Sequence, residues 1–191
     1  MKSLITSFLF FFLVYSSAYS QSQVLIVYHS ESGNTERMAQ YVEEGALSVE
    51  GVHVVLKSVD DVSDGDLLQS DAIIVGSPVY NANVTPEIST FIASWPFEGQ
   101  PLKDKIGAAF VTAGGMSSGE EIVQMNILQS MLVFGMIAVG GPDWTQPFGA
   151  SAITGEKPFT VEEPEMMNER FLQKGINLGA RVAKLSIKLA D

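Results

Sequence analysis

A chain of 191 residues, 46% hydrophobic and only 17% charged, is long enough for one well-buried domain and short for two. Its formal net charge of -11 disfavours nucleic acid, whose phosphates it would repel, and leaves small molecules or basic proteins as partners. The absence of cysteine excludes disulfides, thiolate nucleophiles, zinc–cysteine sites and iron–sulfur clusters, and with only His29 and His53 no metal site is expected.

Residues 1–20 read as a targeting segment rather than part of the fold. Lys2 is a short basic region, an apolar, Phe-rich run follows, and Ala18 and Ser20 place small residues before a candidate cut ahead of Gln21. The apolar run is short for a membrane span, which needs about 20 residues. The expectation is a cleaved signal peptide and an exported domain of residues 21–191, periplasmic or secreted, with no stable membrane span after cleavage. An uncleaved segment would leave the domain membrane-anchored.

From residue 23 onward, strand and helix patterns alternate. Residues 23–29 are almost continuously apolar, as in a strand buried on both faces. Residues 35–50 carry Met38, Tyr41, Val42, Gly45, Ala46 and Val49 at helical spacing. Residues 52–59 and 71–76 read as the second and third strands, and Pro86 as the first residue of a helix reaching about Trp95. A fourth strand is expected at 105–112, a helix at 120–134, a fifth strand at 136–139 and a long final helix at 162–189. Between the last two lies one long irregular stretch, residues 142–160, of a length that is often functional. Such alternation predicts an α/β fold: a doubly wound, parallel five-stranded sheet with helices on both faces, in the candidate order 2-1-3-4-5.

Ligands of such sheets bind outside the carboxyl ends of the strands, where the strand order reverses. The loops after strands one, three and four are therefore the ones to read. The first comprises Ser30, Glu31, Ser32, Gly33, Asn34 and Thr35. Its hydroxyls, its glycine and the helix start behind it suit a terminal phosphomonoester. It has no lysine, so it is not a nucleoside triphosphate loop. An ordinary helix N-cap, with Ser32 or Asn34 capping, uses the same residues. The second loop contains Pro78, Val79, Tyr80 and Asn81, with Tyr80 offering a flat face for stacking. The third contains Thr112, Ala113, Gly114, Gly115, Met116 and Ser117. Its glycines permit close approach to a planar ligand, and its N–H groups could bond ring oxygens and nitrogens. Glu120 and Glu121 behind it read as first-turn residues favoured by the helix dipole.

Three such loops at one sheet edge carry a resemblance. The run from Ser30 to Thr35 resembles the phosphate loop of flavodoxins. The second and third loops, with Phe148, Gly149, Ala150, Ser151, Ala152, Ile153, Thr154 and Gly155, are similar to the tryptophan-repressor-binding-protein type of NAD(P)H:quinone oxidoreductase. The resemblance covers most of residues 23–189 and implies a flavodoxin-like fold, FMN as cofactor, NAD(P)H as donor, a quinone acceptor and a homotetramer. It maps the FMN-binding residues onto the three loops and a substrate-side tryptophan onto Trp95, with no catalytic side chain beyond the flavin. The chain departs from it in two places: Val79, Tyr80 and Asn81 stand where that family has Thr-Arg-Phe, and Phe134 stands where it has a histidine. An electron-carrying flavodoxin without its own substrate is the alternative.

Overall fold

The computed structural model describes residues 21–190, so the expected signal peptide lies outside the described residues. Uninterrupted apolar runs form the strands β1 (Ser22–Tyr28), β3 (Ala72–Pro78) and β4 (Ile106–Ala113), and β2 (Val52–Ser58) is less deeply buried. These join in parallel in the order β2-β1-β3-β4-β5, with β5 (Ile137–Ala138) beyond β4. The helices are α1 (Asn34–Leu47), α2 (Asp64–Gln69), α3 (Pro86–Ala93), α4 (Glu120–Val133) and α5 (Glu169–Ala190). The expected doubly wound sheet order is the one observed.

Each face of the sheet has its own core. Val24, Ile26, Ile74, Ala108 and Phe110 meet α1 and α5, whereas Leu25, Val27, Ile73, Val75 and Val111 meet α3 and α4. Alternate residues of one strand thus serve opposite cores, which is why these strands show no polar alternation. Each large side chain so buried contributes about 1.5–3 kcal/mol relative to exposure.

The fifth strand position differs from the expectation. Only Ile137 and Ala138 pair, with Ile106 and Gly107, before the chain leaves the sheet. It returns as a sixth strand, β6 (Ala150–Ile153), on Phe110 through Ala113 of the same β4 edge. The stretch expected to be irregular therefore contains a strand. The sequence there is short and rich in small residues, so its period is weak. The final helix also begins later than expected. Pro164 starts a single 3-10 turn, and the α-helix opens only at Glu169, with Asn168 Oδ1 accepting from Arg170 N. The helix α2 was not foreseen. It is six residues long and held by a capping box between Ser63 and Asp66. Hydrogen bonds from Lys57, then Ser63, hold the Asp66 carboxyl down to about 2.

Helices α1 and α5 cross at unusually close range because glycines line their contact. A methyl group at Gly179 would overlap the Val42 carbonyl, and one at Gly45 the Ile176 carbonyl. The obstructing atoms are backbone, so the helices themselves would have to part. Gly179→Ala should therefore destabilise the fold by about 1–3 kcal/mol, although alanine is the better helix former by about 1 kcal/mol. Urea unfolding checks this; an unchanged or raised midpoint would contradict the close-contact account.

Candidate functional site

The register of the sheet brings the three loops together. Tyr28 pairs with Gly76, Gly76 with Phe110 and Pro78 with Thr112, so β1, β3 and β4 release their chains at one edge. Thr112 then ties the loops to each other. Its hydroxyl lies 2.7 Å from that of Thr35, in a buried pair, and its carbonyl accepts from Val79 N at 2.8 Å. Thr35 is accordingly a buried brace between the first and third loops.

In the first loop, the residue at the start of α1 is Gly33, at φ 81°, and no side chain caps the helix. The capping role expected of Ser32 or Asn34 is not taken up: Asn34 Nδ2 donates to Ser32 Oγ at 3.2 Å. An L side chain is disfavoured at this φ, and its Cβ would come 2.9 Å from Pro164 Cγ. Beneath, Ser30 Oγ and His29 Nε2 are buried without a hydrogen-bond partner. The nearest carboxylate to His29 is Glu87 in the first turn of α3, at 3.6 Å. A phosphate oxygen answers what this arrangement leaves open: an uncapped helix start, an unpartnered buried hydroxyl and a backbone turn without lysine.

The second loop is a tight reversal. Tyr80 and Asn83 exchange backbone hydrogen bonds of 3.0 and 2.9 Å around Asn81 and Ala82, whose φ values are 52° and 61°. That geometry leaves Tyr80 exposed at the rim, where Glu31 beside its hydroxyl raises its pKa. Loop two also abuts loop three, since a Cβ on Gly119 would come 2.6 Å from that of Ala82.

Carboxylates hold the N–H groups that follow the two glycines of the third loop, two of them within the residues 112–117 expected to face a ring. Glu156 accepts from Met116 N at 2.7 Å, and Glu120 accepts from Ser117 N at 3.1 Å and Ser118 N at 3.0 Å. Glu120 is a first-turn residue of α4, as expected, and it also folds back on the loop. Above Gly114 the space is open, with no atom within 4 Å of a built Cβ. A planar group can approach the main chain there.

Trp95 is not part of this cluster. It follows the far end of α3, is 3% exposed, and packs edge-on between Phe91 and Phe134. Phe134 ends α4 beside Gly135, whose carbonyl accepts from Asp104 just ahead of β4. Both aromatics thus sit at the amino edge of the sheet, opposite the loops of their own chain. Trp95, two residues past the end of α3, continues the stripe of Ile88, Phe91 and Ile92 and is a core residue here. The sequence reading missed His29, Glu87, Glu156 and Pro164. His29 and Glu87 adjoin recognised motifs, but nothing local marks Glu156 or Pro164, which arrive through the unrecognised β6.

A parallel 2-1-3-4-5 sheet with these loops at its carboxyl edge defines a flavodoxin-like α/β protein. A family model described as NADPH-dependent FMN reductase matches residues 23–150. A flavodoxin from Aquifex aeolicus (strain VF5) is 36% identical over 153 residues, which is 75% of this chain and 80% of that protein. Among solved structures, a flavodoxin, WrbA-like protein from Agrobacterium tumefaciens superposes with TM-score 0.72 at 24% identity, covering 87% of this chain and 98% of its own. A flavodoxin from the domain Archaea gives TM-score 0.66 at 27% identity, covering 88% and 99%. The chain belongs to the NADPH-dependent FMN reductase family, its cofactor is FMN, and its chemistry is that of an oxidoreductase.

If the first loop holds the FMN phosphate, Ser32→Ala and Thr35→Ala should each weaken FMN binding, since hydrogen bonds to a charged group are worth about 1.5–3 kcal/mol. Thr35→Ala should also lower stability, because it strands the Thr112 hydroxyl. Riboflavin, without the phosphate, should bind the wild type much more weakly. Titration of the apoprotein with both flavins checks this, and equal affinities would move the phosphate elsewhere.

Proposed function

We propose that the protein is an FMN-dependent reductase of quinones or similar small acceptors, drawing on NAD(P)H as the family implies. The observation that carries this reading is the open space above Gly114, on the same sheet edge as the exposed side chains of Tyr80 and Met116. Such an edge suits a flat, partly apolar molecule stacked over a ring seated in the loops. The FMN would be held by Ser30, Glu31, Ser32, Gly33, Asn34 and Thr35 at its phosphate. Pro78, Val79, Tyr80, Asn81, Thr112, Ala113, Gly114, Gly115, Met116 and Ser117 would line its ring. Bound FMN supplies the redox chemistry. The chain's part is to bind, orient and shield. Uncapped N–H groups of α1 and the Ser30 hydroxyl fix the phosphate, Thr112 braces the loops, and Tyr80 covers one flank.

A homo-oligomer, with a tetramer as the resemblance implies, forms part of the proposal. Helix α4 exposes Ile122 in its first turn and Leu132 and Val133 in its last, at 61%, 57% and 67%, with the polar Asn126 and Gln129 between them. Large apolar side chains exposed in this way are available for contact with a second copy. The proposed location is outside the cytoplasm. In its favour, β1 begins at Ser22, so a cut ahead of Gln21 would leave the whole sheet intact. N-terminal sequencing of protein from its host checks this, and an intact Met1 on a membrane-bound species would overturn it.

An electron carrier is the second reading, favoured by the 36% identity to a flavodoxin and by the acidic chain, which would attract basic redox proteins. Stopped-flow spectroscopy of the holoprotein separates the two. The reductase reading expects flavin bleaching by NADPH, more slowly than by dithionite because Val79, Tyr80 and Asn81 lack the family's arginine, with recovery on adding benzoquinone. Failure of NADPH to bleach the flavin, together with a monomer by light scattering, would favour the carrier.

A further inference from the structure

The segment that follows β6 is zipped onto the third loop. Thr154 N donates to the Ala113 carbonyl and Gly155 N to the Gly114 carbonyl, both at 2.9 Å. These two bonds extend the β4–β6 ladder past its last strand pair and deliver residue 156 to the loop. There the Glu156 carboxylate takes the Met116 N–H at 2.7 Å, the short range of a charge-assisted bond. The same oxygen lies 3.0 Å from where a Cβ on Gly115 would stand. A negative group therefore rests against the glycine backbone that a flat ligand would approach, and holds one of the N–H groups such a ligand would use.

We propose that Glu156 is an affinity-determining residue for the flavin: its carboxylate is a resident occupant of the ring end of the site and must swing out for FMN to seat. This rests on the reading of Thr112 through Ser117 as the ring loop. Release needs only a side-chain rotation, because the bonds of Thr154 and Gly155 are main-chain bonds and stay in place. Glu156 is exposed, so water can receive the carboxylate once it turns away. The contest is between an anion and a neutral oxidised ring for the same donor. Removing the anion therefore favours the ring, whether or not the ligand carries a phosphate.

The test is fluorescence titration of the apoprotein with FMN and with riboflavin. Glu156→Ala should bind both flavins about tenfold more tightly than the wild type, the size expected for freeing one charged hydrogen bond. Acetate at high concentration should return that variant toward wild-type affinity, by restoring a carboxylate to the Met116 N–H, and should leave the wild type unchanged. Glu156→Gln keeps an acceptor without the charge and should fall between the two. If Glu156→Ala does not fold, Glu156→Gln decides: tighter binding than wild type supports the proposal, equal or weaker binding overturns it. Equal or weaker binding by Glu156→Ala, or indifference to acetate, would show that Glu156 only props the loop. Gly114→Val separates the two levels of the argument, since a side chain there fills the open space. Weakened flavin binding in Gly114→Val, with no tightening in Glu156→Ala, removes the proposal alone. Unchanged binding in Gly114→Val removes the ring-loop reading and the proposal with it.

Discussion

Thr112 is where the strands become a site. It is the next-to-last residue of β4, with backbone pairs on both sides: Pro78 of β3 and Ala152 of β6. Its carbonyl orders the second loop through Val79 and its hydroxyl orders the first through Thr35. A single residue thereby converts sheet register into loop geometry. Register in a sheet buried on both faces is strongly specified, because a one-residue slip would exchange the side chains of the two cores. The precision of the loops is borrowed from the packing of Leu25, Ile26, Ile73, Ile74 and Phe110 below them.

The order of the sheet and the three loops were legible because their signals are local. Continuous apolar runs at β1, β3 and β4, and clusters of Gly, Ser and Pro just after them, report buried strands and turns without any knowledge of partners. The misses share the opposite property. Ala150 through Ile153 become a strand because Phe110 through Ala113 offer an open edge, and nothing in three small residues and one isoleucine announces that. Glu169 starts α5 because Pro164 and Asn168 interrupt an acidic run that reads as helix by composition. Trp95 was misplaced because its side of the sheet depends on the direction of α3, whose far end returns to the amino edge. Glu156 was invisible because it reaches the site only through β6.

The carboxyl edge of the sheet is electrostatically unusual for a place that receives a phosphate. Glu31 and Glu36 flank the first loop, and Glu87, Glu120 and Glu156 come from the elements around it. On the proposed reading, the anion is held by N–H dipoles, hydroxyls and the end of α1, not by a counter-charge. Such donors act at hydrogen-bond range only, whereas the carboxylates act over a Debye length of about 8 Å at physiological salt. Recognition at this edge is therefore short-ranged, and dissolved ions assist the approach of an anionic ligand by screening the surroundings.

The first loop has a roof that the chain supplies very late. Pro164 covers Gly33, although strands β2 to β6 separate them in sequence. Helix α5, which follows that proline, completes the core on which α1 rests. As the chain emerges from the ribosome, the loop is made early yet stands without roof or floor until nearly the last residues appear. On the proposed reading, cofactor capture belongs to the finished polypeptide: a chain truncated ahead of residue 164 would carry all three loops, the first of them without its Pro164 contact and without α5 behind α1.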